Sequence, residues 1–365
     1  MKKKLGLVLA GGGSLGAYEV GAIKALNELG LKFDIVTGTS IGAINAFFVA
    51  TNQIDKLINL WDNITVEQVI KNSVNLNAKL ITKFSFKKAF KALRAFGRIR
   101  GANISPFKEL CKKNIDPNLI KEDSTKIGII VTEFPSFKER KIILNDIPVE
   151  LRLPFLHSSS ACFPIFPVEK VKDKHYVDGG YKNNMPVEFC FELGADEIIV
   201  IDMGMSKIKR KEEKMCSLPN VKRIHNNSRF KSIMDFEKET LNNNMKHGYL
   251  DALKCFGKYI GKNYYFIKED NITEKENELV KKIIKKPRLF SLYIRNRKEK
   301  GNIIYFFTEI LLNKIKADKL IPYKFNEAID MIKANYKLLN KKEKELLKLL
   351  EELYINWVLL LVDKT

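Results

Sequence analysis

Leu5-Gly6-Leu7-Val8-Leu9-Ala10-Gly11-Gly12-Gly13-Ser14-Leu15-Gly16, followed at residues 33–42 by Phe33-Asp34-Ile35-Val36-Thr37-Gly38-Thr39-Ser40-Ile41-Gly42, decides the fold. Each stretch is a short apolar run that ends in small residues and passes into a helical pattern, Ala17 to Leu29 after the first and Ile41 to Thr51 after the second. Apolar runs of this length bounded by glycine read as buried strands, here Leu5 to Ala10 and Phe33 to Thr37. Strand, glycine turn, helix, strand, tight turn, helix is the opening of an α/β sandwich.

Backbone N–H groups in a glycine turn such as Gly11 to Gly16 point outward and can bind negative charge. Three readings of the turn stand side by side. The spacing Gly11, Gly13, Gly16 fits a dinucleotide fingerprint, but that motif needs an acid at the end of the next strand, and Asp34 begins it. A phosphate-binding P-loop needs Gly-Lys-Ser/Thr, whereas Gly16 precedes Ala17-Tyr18. The third reading is an oxyanion hole.

Gly38-Thr39-Ser40-Ile41-Gly42 is a G-x-S-x-G pentapeptide between an expected strand and an expected helix. The pattern wants small residues because the serine sits on a sharp strand-to-helix turn, where side chains at the glycine positions would strike neighbouring backbone. The Ile41 N–H, at the helix start, can donate to a developing oxyanion, and the helix dipole favours that charge. A plainer reading makes Ser40 an ordinary helix N-cap.

A nucleophilic serine needs a base, normally histidine. His225 and His247 lie beyond the expected core, His157 has no carboxylate pattern around it, and His175 sits in a short strand leading into Asp178. All four read as structural or solvated. Asp178-Gly179-Gly180 ends that strand at the edge where open α/β sheets collect their sites, and its glycines permit close backbone approach. An ordinary Asp-Gly turn is the plainer alternative.

With these three blocks in this order, the sequence resembles the patatin-like phospholipases. Ser158-Ser159-Ser160-Ala161-Cys162-Phe163-Pro164 and Phe166-Pro167-Val168 look like that family's serine/alanine and proline segment, and Gly248-Tyr249-x-Asp251-Ala252 resembles a late helix of bacterial members. The resemblance implies a three-layer α/β/α fold with a mainly parallel sheet. It also implies a Ser40–Asp178 dyad without metal or cofactor, in which Ser40 attacks an ester carbonyl and Asp178 accepts its proton. N–H groups of Gly11, Gly12 and Gly13, with that of Ile41, would hold the oxyanion. The implied activity is hydrolysis of phospholipid or other acyl-ester lipids. A non-catalytic lipid-binding protein and an acyltransferase are the alternatives. One position departs from the pattern: Leu15 stands where the family usually carries Arg or Lys, so electrostatic help from that cation is lost.

The rest of the composition sets the frame. Of 365 residues, 45% are apolar, enough for a full core and more than one domain. Five scattered cysteines without a C-x-x-C spacing argue against disulfides and zinc, and no apolar run is long enough to span a membrane. The expected location is the cytoplasm, peripheral at a membrane. Net charge is +21. It concentrates in residues 205–365 and in 71–113, where 12 basic residues face the single acid Glu109. Such a surface suits an anionic partner, but no nucleic-acid-binding signature accompanies it. The expected organisation is a catalytic domain over 1–204, with a basic lid-like insertion at 70–113, and a mainly helical region over 205–365. Within the insertion, Phe84 to Ile99 reads as a basic amphipathic helix suited to membrane docking or to packing on the core. Residues 205–230 read as a polar linker.

Overall fold

The computed structural model describes residues 3–71, 102–204, 210–225, 232–268, 272–296 and 303–362. The two opening runs are β1 (Leu5–Leu9) and β2 (Ile35–Thr39), each feeding a helix, α1 (Gly16–Glu28) and α2 (Ile41–Ala50). Then come α3 (Ile54–Asn63), α4 (Ser105–Asn114), β3 (Lys126–Phe134), β4 (Lys138–Ile143), α5 (Val149–Ser159), β5 (Glu169–Val171) and β6 (Lys174–Asp178). The unit finishes with α6 (Val187–Glu192), β7 (Glu197–Asp202), α7 (Arg210–Cys216), β8 (Val221–His225) and α8 (Lys238–Cys255). The basic amphipathic helix expected over 84–99 falls outside the described residues.

β8, β7, β1, β2 and β3 are parallel neighbours in that order. β1 and β7 are almost wholly buried, which matches their unbroken apolar sequences. Successive side chains of a strand face opposite ways, and β2 demonstrates both covers. Thr37 donates its hydroxyl to the Pro186 carbonyl just before α6, while a Cβ on Gly38 would lie 2.4 Å from the Gly42 carbonyl oxygen of α2. Helices on both faces of a mainly parallel sheet make the three-layer α/β/α sandwich.

The register on β3 positions the site. β4 runs antiparallel along one edge of β3. On the other edge two strands meet end to end: β2 arrives parallel and places Thr39 opposite Ile130, and β6 arrives antiparallel and places Asp178 opposite Val131. Ser40 and Asp178 thus leave their strands beside consecutive residues of one strand.

Two expectations about organisation change. Residues 205–230 are not simply a linker, because β8 lies within them and extends the sheet beside β7. Only Val221 and Ile224 of β8 are fully buried, which is why an edge strand carrying Lys222 and Arg223 reads as polar loop. The first compact unit also continues past the expected boundary at 205, to Ala252. Its last helix, α8, crosses α1 at two glycines: a Cβ on Gly21 would lie 1.9 Å from the Met245 carbonyl oxygen, and one on Gly248 the same distance from that of Tyr18. The Tyr18 hydroxyl donates to Asp251 at 3.0 Å beside this crossing.

The second unit, Leu253–Thr365, has its own core of Phe266, Tyr305, Phe307, Leu311, Ile329 and Leu350, supplied largely by helices. Its buried Glu309 carboxylate accepts the N–H groups of Lys262, Asn263 and Tyr264. No helix among the described residues is long and apolar enough to cross a membrane.

Candidate active site

Ser40 is held in a conformation that side chains rarely adopt, with φ 56° and ψ −127°. Such backbone costs about 1–3 kcal/mol and persists only where its surroundings impose it. The surroundings here are tight. A Cβ on Gly42 would lie 2.6 Å from the Leu9 carbonyl oxygen, and Gly38 is as confined, so both glycines of the pentapeptide are obligatory. The Ser40 N–H donates to Ser159 Oγ at 2.9 Å, and the Ser159 hydroxyl donates to the Ile130 carbonyl at 2.7 Å. One side chain thereby ties the elbow to β3.

Ser40 does not use its hydroxyl to cap α2. It donates instead to Asp178 Oδ2 at 2.5 Å, so the plain N-cap reading does not describe it. Asp178 is buried, and its second oxygen accepts the Gly180 N–H at 2.7 Å. Gly179 makes the close approach expected of it, since a Cβ there would lie 2.2 Å from the Ile130 carbonyl oxygen. Burial pushes the Asp178 carboxyl up to about 7, against the downward pull of the hydrogen bonds from Ser40 and Gly180.

The glycine turn closes the same cavity from the other side. Gly11, Gly12, Gly13, Ser40, Ile41 and Asp178 all line it. Gly12, Gly13 and Ile41 stand at the starts of a 3-10 turn and of α2, where backbone N–H groups have no intrahelical acceptor. Gly11 is a correction to the expected set of donors: its N–H already donates to the Asn184 carbonyl at 3.1 Å. The dinucleotide reading lapses too, because Asp34 accepts the Leu5 N–H at the opposite end of the strands. Leu15 is fully buried in the core and is not among the residues that line the cavity.

Farther from the pair the described walls are apolar, with Trp61, Ile64, Val69, Phe107, Phe166 and Phe236 prominent. Trp61 is fixed by donating to Asn45 Oδ1 at 3.1 Å, and the Asn45 amide donates to the buried Glu19 at 2.8 Å. Burial holds the Glu19 carboxyl well above the usual carboxylate range. No histidine lines the described cavity. His157 packs against Phe107, and burial lowers its pKa to about 4; His225 faces Asp202 at 3.0 Å; His175 is exposed on β6. Sequence reasoning passed over Ser159 and Asn184, although the first lay inside a noted serine run and the second six residues after Asp178.

An α/β/α protein with a hydrogen-bonded serine and buried aspartate lining a mainly apolar cavity belongs to a narrow structural class. The chain is a member of the patatin-like phospholipase family, whose sequence model, described as "Patatin-like phospholipase", matches residues 7–191. Among curated relatives, "Patatin-like phospholipase domain-containing protein 7" of Rattus norvegicus is 30% identical over 206 residues, covering 55% of this chain and 14% of that protein. "Lysophospholipase nte1" of Aspergillus terreus is 54% identical over 48 residues, 13% of this chain and 3% of that protein. The chain therefore matches only a small part of these relatives' length. Among solved structures, VipD from Legionella pneumophila aligns over 96% of this chain and 88% of its own, at 15% identity and a TM-score of 0.46.

Proposed function

We propose that the chain is a lipid acyl hydrolase in which Ser40 is the nucleophile and Asp178 its base. The observation that carries this reading is the 2.5 Å hydrogen bond from a strained, elbow-borne serine to a buried carboxylate. Ser40 Oγ attacks the ester carbonyl carbon, and its proton passes to Asp178 Oδ2. The oxyanion that forms is received by the N–H groups of Gly12, Gly13 and Ile41. As the carbon–oxygen bond to the leaving alcohol breaks, Asp178 returns the proton to that oxygen. Water then attacks the acyl-serine, losing its proton to Asp178, and as the acyl carbon–Oγ bond breaks Asp178 returns that proton to Ser40 Oγ and the carboxylic acid is released.

Aspartate at its ordinary pKa, roughly 4, is a weak base. A carboxyl raised to about 7 suits proton exchange near neutrality. The aromatic and aliphatic walls suit an acyl chain. Membership of the phospholipase family, and a local match to a protein named a lysophospholipase, favour glycerophospholipid or lysophospholipid esters. The net charge of +21 supports peripheral attachment to an anionic lipid surface.

The test is labelling with a fluorophosphonate together with a hydrolysis panel of phospholipids, lysophospholipids and simple esters. Labelling and turnover in the wild type, both lost in Ser40→Ala and Asp178→Asn, are expected. Well-folded wild-type protein that neither labels nor hydrolyses would instead support a lipid-binding protein without catalysis, the reading Leu15 raises.

A further inference from the structure

Asn184 grips the glycine turn twice. Its backbone carbonyl accepts the Gly11 N–H at 3.1 Å, and its side-chain Nδ2 donates to the Gly11 carbonyl at 2.9 Å. Both hydrogen-bonding groups of one peptide residue are thus taken by one partner 173 residues away. The approach is close: a Cβ on Gly11 would lie 2.5 Å from Asn184 Oδ1 and 3.0 Å from Ser40 Cβ, so Gly11 is packed closely against both Asn184 and the elbow.

The segment that carries Asn184 is itself pinned. It begins at Asp178, whose side chain holds Ser40. Its Asn183 carbonyl accepts the Thr39 hydroxyl at 2.9 Å, and its Pro186 carbonyl accepts that of Thr37. Residues 178–186 therefore contact the base's partner, the strand that delivers it, and the turn that faces it. Asn184 Oδ1 is buried without a hydrogen-bond partner among the described residues, and Asn184 lines the cavity. A lone buried amide oxygen is unfavourable, which the fold tolerates while Nδ2 stays on Gly11.

We infer that Asn184 is a positioning residue: its carboxamide sets the Gly11–Gly13 turn at the distance from Ser40 where the Gly12 and Gly13 N–H groups meet the oxyanion. The inference rests on the nucleophile reading above and deepens it. Preorganised donors act in proportion to how little they must move as charge develops, so loosening the turn raises the barrier without weakening substrate binding. Asn184→Ala removes the Nδ2 grip and keeps the backbone one. Asn184→Asp keeps the shape and replaces the donor with an oxygen facing the Gly11 carbonyl.

Hydrogen exchange of the 10–15 segment and the rate of fluorophosphonate labelling are measured on the full chain, with Asn184→Ser as the variant that retains a short donor. Faster exchange in this segment alone, and labelling slowed about 10- to 100-fold in Asn184→Ala and further in Asn184→Asp, are expected. KM should stay within about twofold of wild type, with partial recovery in Asn184→Ser. Unchanged exchange, or loosened exchange with labelling at the wild-type rate, would overturn the inference. Exchange that rises across the whole sheet together with KM would do the same, by marking the residue as merely structural. Faster local exchange in a protein whose wild type never labels would leave the grip on Gly11 standing and remove the nucleophile instead.

Discussion

Asp178 lies under two opposing demands, since the proposed mechanism needs it ionised and its burial favours the neutral acid. Folded it titrates near 7, against roughly 4 in the unfolded chain, so between those values the folded state binds more protons. Stability is therefore greatest at the acid end of that window and falls as pH rises through it, by on the order of 4 kcal/mol once the group is fully ionised. Activity should move the other way, with kcat/KM rising through a midpoint near 7. Asp178→Asn should lose that activity and melt at a higher temperature than wild type at pH 8, the gap closing towards pH 4. A wild-type rate that is flat from pH 6 to 8 would contradict the assignment. Ser159 answers to a simpler expectation. Its hydroxyl serves two backbone partners, one of them buried, so Ser159→Ala should cost about 1–3 kcal/mol in urea unfolding and lower kcat by freeing the elbow. Ser40 and Asp178 were legible in the sequence because each stands in a local glycine pattern with a steric reason. Ser159 and Asn184 were not. They act on backbone groups 119 and 173 residues distant, and nothing beside them announces the partner.

At the level of elements, the parallel strands and the helices around the elbow could be read from apolar runs and glycine boundaries. β8 escaped because it lies at the sheet edge and buries only two side chains fully. The role of α8 escaped for another reason. Gly248 in a helical pattern reads as a weak point, yet in the fold it is where two backbones touch, opposite Tyr18, with Gly21 meeting Met245 one turn away. Gly21→Ala and Gly248→Ala each force a methyl into a carbonyl oxygen, and helix backbones cannot yield as a flexible side chain does. Each should destabilise the first unit by about 3 kcal/mol, at the upper end for overpacking, with unfolding in urea as the measurement. A loss under about 0.5 kcal/mol, the range of neutral surface changes, would mean that α8 is not fixed at this crossing.

For the whole molecule, a boundary at Ala252 instead of 205 changes what a truncated chain should do. A chain ending at Gly204 lacks β8, the α1–α8 crossing, and the cavity residues Ile233, Met234 and Phe236. It should fail to give a cooperative thermal transition, whereas a chain ending at Cys255 should melt cooperatively and keep fluorophosphonate reactivity. Charge is also a property of this scale. In the second unit Lys285, Lys286, Lys341, Lys344 and Lys348 line one groove, relieved by Glu345, which pairs with Lys286 at 2.9 Å. Sedimentation with phosphatidylglycerol vesicles should carry the protein down at low salt and release it at about 0.5 M, where charge is screened within a few ångströms. Equal sedimentation with phosphatidylcholine would show that charge is not what attaches it.

The meeting of β2 and β6 on one edge of β3 has a consequence in time. The serine and its aspartate are separated by 138 residues, and neither reaches the other through its own neighbourhood. During synthesis β1, β2 and α2 leave the ribosome long before Ser159, which ties the elbow to β3, and Asp178, which accepts from its hydroxyl. Until the later strand docks, the serine is a bare alcohol with no base beside it. On the proposed mechanism, a chain in which β6 has not docked lacks its base, so reactivity requires the two distant strands to have met on β3.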